Sequence, residues 1–216
     1  PLKDKQDACR QLSIKGTKDA VPVLAPLLTD KELSHMARYA LEPMPFSEAG
    51  KALRDALGKT KGRIKVGIVK SLAVRKDERA VPQLIKLLRE RDADVAQASA
   101  RALGTIATPK AEKALEGAVS RSKLVPGMRD ALCDGLYSVA EQRVQEQRRD
   151  QAVNIYDRLL HLKNATPEIL TAALRGAVLN RSSDQGIPIL VDRLLGDDDD
   201  AFAAALRVSR EMDENH

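Results

Sequence analysis

The sequence predicts an all-α, right-handed superhelix of stacked helical hairpins, and three observations carry the prediction. Leu12 and Leu24, Leu41 and Leu53, Leu72 and Leu84, Leu103 and Leu115, and Val178 and Leu190 are each separated by twelve residues. Self-similarity of this kind marks a repeat array, in which each unit buries its apolar face against the next. Between the paired positions stand helix stops and starts, best seen at Thr108-Pro109, an N-cap followed by a residue suited to a helix's first turn. The composition agrees with close helix stacking, since 43% of residues are hydrophobic but only 2% aromatic, with no Trp. Such an interior is filled by Leu, Ala and Val.

The repeats fall at about 1–29, 30–59, 60–91, 92–122, 123–163 and 164–196, followed by a terminal helix over 197–216. The first has a helix ending near Ile14, a stop and cap at Gly16-Thr17, and a second helix containing AVPVLAPLL from Ala20 to Leu28. The second breaks at Pro43-Met44-Pro45 and restarts after Ser47. The third begins near Gly62 and carries AVPQLIKLL from Ala80, nearly a copy of the first. The fourth opens its first helix at Ala93, and the sixth starts at Thr166-Pro167 and breaks at Ser182-Ser183-Asp184. Pro22, Pro82 and Pro188 occupy one aligned position, early in the second helix, where a missing N–H is tolerated.

Superimposing the repeats gives the packing code. Leu12, Leu41, Leu72, Leu103, Leu136 and Val178 share one position, with Ala8, Ala37, Ile68, Ser99, Leu132 and Leu174 four residues earlier, which makes an inward stripe at helical spacing. Gln11, Ala40, Ser71, Ala102, Gly135 and Ala177 share another position, nearly all small, as close helix approach requires. In the second helices Leu24, Leu53, Leu84, Leu115, Tyr156 and Leu190 align, as do Leu28, Leu57, Leu88, Val119, Leu160 and Leu194. The fifth repeat departs from the rule. Leu136 and Tyr156 are twenty residues apart, so EQRVQEQRRDQ from Glu141 is expected to lengthen the hairpin and protrude, with Arg143, Arg148 and Arg149 exposed.

Net charge is +5, with +8 over residues 1–108 and −3 over 109–216. A polyanion would prefer the first half. Position 1 is Pro rather than Met and no basic-then-apolar leader follows, which points to a processed or excised segment of a longer chain. No apolar stretch approaches the ~20 residues that span a bilayer, so no membrane partner is expected. Cys9 and Cys133, too few for a disulfide framework, fall at one repeat position as small packing residues. The same position holds Arg38, Arg175 and Arg207, whose stems are expected on apolar surface with paired tips; a ligand-facing role is the alternative.

With the units aligned, DADVAQASARALGTIATPKAEKALEGAV from Asp92 and DERAVPQLIKLL from Asp77 resemble the bacterial HEAT-like repeats also found in phycobilisome lyases. GLYSVAEQRVQEQRRDQAVNIYDRLL in the fifth repeat resembles a tetratricopeptide hairpin. The resemblance implies a scaffold for protein contacts and no particular chemistry. Di-iron hydroxylases similar to this fold carry repeated His-Glu pairs, but here Met36 follows His35, Leu162 follows His161, and His216 is terminal. DNA glycosylases of the fold rely on aromatic residues, and a bilin lyase needs a chromophore pocket; Tyr39, Phe46, Tyr137, Tyr156 and Phe202 are too few and too dispersed. No catalytic residue, cofactor or metal is expected.

Gly58-Lys59-Thr60 looks like the end of a phosphate loop, but Leu53 stands where the first glycine belongs and the preceding segment is helical, so it reads as a helix stop. KTKGRIK, from Lys59 to Lys65, reads as a solvated loop between repeats, with contact to phosphate or an acidic surface as the alternative. The resemblance places second helices on a concave face. Their outward cations, Lys51, Arg54, Lys86, Arg89, Lys110, Lys113 and Arg158, are interspersed with Asp55, Glu116, Asp157 and Asp192. With Arg143, Arg148 and Arg149 they are the candidate contacts to a protein or peptide partner. Nucleic-acid binding through the basic first half is the alternative. Phe202, Ala205, Leu206 and Ser209 align with inward positions of earlier repeats in a helix lacking its partner, which points to end-to-end self-association through Phe202 and Leu206.

Overall fold

The computed structural model describes residues 1–121, 124, 127–162 and 165–212, and all regular structure among them is helical. The chain divides into two compact units, residues 1–135 and 136–216. In the first unit the first helices of the hairpins are α1 (Leu2–Lys15), α3 (Ser34–Leu41), α5 (Gly62–Val74) and α7 (Ala93–Ile106). The second helices are α2 (Val21–Leu24), α4 (Ser47–Leu57), α6 (Val81–Leu87) and α8 (Pro109–Val119). Helix α9 (Met128–Gln145) contains the division between units, and α10 (Arg149–Leu160), α11 (Pro167–Leu179), α12 (Ser183–Leu195) and α13 (Asp199–Met212) follow.

Side-chain capping supports several of these helix starts. Thr108 accepts from the Ala111 N–H at 3.2 Å and Thr166 from that of Ile169 at 3.4 Å. Asp92 accepts from the N–H groups of Asp94 and Val95, and Asp198 from those of Asp200 and Ala201. Each satisfies donors that a helix's first turn leaves open.

Most inward positions are buried as the alignment requires, although Leu194 in the sixth repeat is only half-buried. Leu41, Leu72, Leu103, Leu136 and Val178 are covered, as are Leu24, Leu53, Leu84, Leu115, Tyr156 and Leu190. In the first repeat Leu12 is half-buried and Ala8 exposed. Small residues bring α7 and α9 together closely enough that a Cβ on Gly104 would lie 2.4 Å from the Gly135 carbonyl oxygen. Cys9 and Cys133 are buried thiols, as their shared repeat position predicts.

Three expectations need correction. The second helix of the first repeat is not continuous: α2 lies between 3-10 turns at Lys18–Ala20 and Ala25–Thr29. AVPVLAPLL carries a second proline, Pro26, whose ring opposes the carbonyl four residues back. The third repeat has Lys86 there, and α6 stays α-helical through Leu87. KTKGRIK is only partly loop, because α5 starts at Gly62, whose φ of +51° suits glycine. Lys65 then pairs with Glu90 at 3.8 Å.

The third correction is Arg143. Its side chain is 4% exposed and pairs with Glu146 at 3.2 Å, while Arg148 reaches the same carboxylate oxygen at 2.9 Å. The turn between α9 and α10 is tight, with Gln147 at φ +60° and the Arg148 N–H bonded to the Arg143 carbonyl. At the base of the extension the Tyr156 hydroxyl donates to Glu141 Oε1 at 2.5 Å, and burial pushes that hydroxyl's pKa up. The extra segment is thus anchored by buried polar groups, and Arg148 and Arg149 remain its exposed cations.

Candidate functional site

The candidate cations separate once their surroundings are known. Arg54 is 15% exposed and forms an ion pair with Asp77 across to the next repeat, so it holds the array together. Lys51 is exposed but bonds Asp55 at 2.5 Å, one helical turn away. Arg148 is exposed and tied to Glu146, and Arg149 and Arg158 are exposed on α10. Arg38 donates to the Gly67 carbonyl at 3.2 Å and Ser71 Oγ at 3.3 Å, which makes it structural. Arg175 pairs with Glu211 at 2.5 Å. Arg207 is exposed, and its charge helps to hold the Glu168 carboxyl below its ordinary range, after that group's hydrogen bonds.

Lys86, Arg89 and Lys113 come together. Leu84 and Leu88 turn the apolar side of α6 inward, and Ala111, Leu115 and Ala118 do the same for α8. That orientation leaves Lys86 and Arg89 on one outward helix edge and Lys113 and Gly117 on the facing edge, by the i, i+3 and i, i+4 rule. Between them runs a cleft of about 430 Å³, with Ile85, Leu88 and Ala114 in its walls and Arg121 at the end of α8. A Cβ placed on Gly117 would meet nothing within 4 Å. Among the described residues Lys86, Arg89, Lys113 and Arg121 have no acidic partner within ion-pair distance.

Two other clefts differ in kind. One of about 460 Å³ lies between the 3-10 and α segments of the first repeat and α4, where Glu48 is paired with Lys18 at 2.6 Å and Lys51 with Asp55. Its charges compensate internally. The other, about 720 Å³, lies on the first-helix side between α5 and α7, lined by Arg63, Lys70, Val74, Asp94 and Arg101. Arg101 there pairs with Asp134 at 2.9 Å.

Arg121 and Gly117 escaped the sequence reading. Arg121 lies beyond the second helix, outside the register used to count outward cations. Gly117 carries no charge, and its value is the space it leaves. Among the described residues no group of three His, Cys, Asp or Glu side chains is placed to hold a metal ion, and no helix is long and apolar enough to cross a membrane.

Residues 50–136, the span that contains this cleft, match the family model of HEAT repeats. The fold is similar to a chain in the complex of CpcE and CpcF of phycocyanin lyase from Nostoc sp. PCC7120, with a TM-score of 0.52 and 21% identity, over 87% of this chain and 75% of that one. An engineered protein aligns with a TM-score of 0.49 and 22% identity, over 96% of this chain and 64% of that one. No curated protein matches the chain in sequence. Over residues 50–136 the chain is similar to HEAT repeats, and its fold is that of a helical-repeat protein.

Proposed function

We propose that the chain is a non-enzymatic protein-binding scaffold that takes its partner on the second-helix face of the first unit. The observation that carries this reading is the cleft between α6 and α8, where four cations stand around an apolar floor with no acidic partner within ion-pair distance among the described residues. Folded chains ordinarily leave their charges solvated singly or paired; a cluster of one sign around a concavity raises the local concentration of an opposite charge. A chain of similar fold occurs in a complex of two lyase subunits, and repeat arrays act mainly through such contacts.

Nucleic acid is the competing ligand for a basic surface. Acidic residues interrupt the outward row, as at Asp55 on α4, while duplex DNA calls for a continuous track of cations. Binding to duplex DNA is therefore weak here and disappears by physiological salt. A second contact, made end to end between copies, is favoured by the exposed apolar side chains of α13, Phe202 and Leu206.

The test is photo-crosslinking in cell extract with and without nuclease, with the reactive side chain placed at position 113 or, on the opposite helix row, at position 70. Protein adducts from position 113 in excess over position 70 support the scaffold reading. Equal yields from the two positions, or adducts that vanish with nuclease, overturn it.

A further inference from the structure

We propose that the α6/α8 cleft binds a short acidic peptide segment carrying an aliphatic side chain, the acids meeting Lys86, Arg89, Lys113 and Arg121 and the aliphatic group resting on Ile85, Leu88 and Ala114. This deepens the protein-binding reading and depends on it. Three features of the cleft select the partner.

The first is charge. Lys86, Arg89 and Lys113 are exposed, Arg121 is half-buried, and none is neutralised within ion-pair distance among the described residues. The neighbouring second-helix cleft contains ion pairs of its own, between Lys18 and Glu48 and between Lys51 and Asp55, so its electrostatic demand is met internally. An acidic segment would be steered to the α6/α8 cleft and held in register there.

The second feature is the floor. Ile85 and Ala114 are half-buried over the covered Leu88, so apolar atoms of these two side chains face solvent between the cations. A phosphate chain gains nothing from them. Among the described residues no aromatic side chain lines the cleft, so bases have no surface on which to stack. An aliphatic side chain flanked by carboxylates satisfies both parts of the lining.

The third feature is Gly117. In a helix interior glycine is less favourable than alanine by about 1 kcal/mol. Here a Cβ would meet no atom within 4 Å, so packing inside the chain does not require the glycine. Its effect is to keep the α8 edge of the cleft low enough for a peptide backbone to pass.

The experiment measures fluorescence anisotropy of a labelled peptide of about twelve residues, Asp and Glu with two leucines, against the intact chain at low and physiological salt. Controls are a Lys and Arg counterpart, an acidic peptide with serine in place of leucine, and single-stranded and duplex DNA of similar charge. Binding of the acidic leucine peptide above all controls is expected, with about tenfold weakening for each of Lys86→Glu, Arg89→Glu and Lys113→Glu. Gly117→Glu should abolish binding while melting is unchanged or raised, and Lys51→Glu should change affinity less than about twofold.

Equal affinity for the serine peptide, or no loss in the charge-reversal variants, overturns the inference. So does tighter binding of DNA that is lost in the same variants, because the cleft is then a polyanion site. If the acidic peptide fails while position 113 still crosslinks to protein, the acidic class is wrong and the scaffold reading stands. If both fail, both readings fall.

Discussion

Burial changes what individual side chains can do, and Cys133 is the clearest case. It lies on α9 at 2% exposure, and desolvation pushes its thiol up from 9.0 to about 11. The folded protein therefore holds this proton more tightly than the unfolded chain. Stability linked to the group is complete below pH 9 and declines as pH rises toward about 11, by at most about 1.4 kcal/mol per pH unit. Urea unfolding at pH 8, 9.5 and 10.5 should show this decline for the natural sequence and a shallower one for Cys133→Ala. Identical slopes would mean that the thiol contributes nothing to the alkaline limit. Iodoacetamide should likewise leave Cys133 unmodified at pH 8 until denaturant is added, because the thiolate is the nucleophile. Arg75 shows a different use of a charged group. Its guanidinium donates to the carbonyls of Leu41, Glu42 and Met44 at 2.6 to 2.8 Å and to that of Phe46 at 3.1 Å, closing the Pro43-Met44-Pro45 break with bonds that the prolines cannot make themselves.

Helices and their joints were legible to different depths. The buried stripe was readable because periodicity is a local property, and the aligned leucines from Leu41 to Leu115 need only a helix and a neighbour to become interior. The caps at Thr108 and Thr166 were readable for the same reason. The α6/α8 cleft was only partly readable, since Lys86, Arg89 and Lys113 meet across a gap whose existence depends on where two helices lie, and Arg121 falls outside the register. The α9–α10 hairpin was misread because a run of charged residues carries no sign of which member turns inward. There Arg143 is buried, while its partner Glu146 is exposed and keeps its bonds from Gln142 and Arg148, so truncating Arg143 costs chiefly the packing of its covered side chain. Arg143→Ala should lower unfolding free energy by about 2 kcal/mol, whereas Arg149→Ala, at an exposed position, should change it by less than about 0.5 kcal/mol. Chemical denaturation of the two variants compares them directly, and equal losses would put the anchoring role of Arg143 in error. The three arginines of the extension are therefore not interchangeable, and of Arg143, Arg148 and Arg149 only the last two remain candidates for partner contact.

The largest exposed apolar surface of the second unit lies on its final two helices. Ile187, Val191 and Leu195 follow one another at four-residue spacing along α12, and Phe202 and Leu206 do so along α13. In earlier repeats the counterpart of Ile187 is Val81, and those of Phe202 and Leu206 include Met128 and Leu132; all three are covered. On α13 itself Ala201, Ala204, Ala205 and Val208 are buried, so one side of the helix is packed, while Phe202 is 44% and Leu206 41% exposed. Exposed stripes of this kind mark contact surfaces. Asp197 to Asp200 make the adjoining turn acidic, and α1 presents Lys3 and Lys5 beside Leu2 at 43% exposure, its Arg10 being paired with Asp7 at 2.6 Å. Opposite charge favours a head-to-tail contact between copies over a tail-to-tail one. Such a heterologous contact leaves a free face on each copy and extends to a ring or a filament, so association grows with protomer concentration instead of stopping at a dimer. Static light scattering over about 10 to 500 µM should show a weight-average mass that rises continuously and falls when salt screens the charged rim. Phe202→Asp with Leu206→Asp should return the mass to that of a single chain, with helicity by circular dichroism unchanged because neither side chain is enclosed. A mass fixed at one chain throughout the series would remove the self-association reading, and a plateau at two would replace it with an isologous pairing of the same stripe.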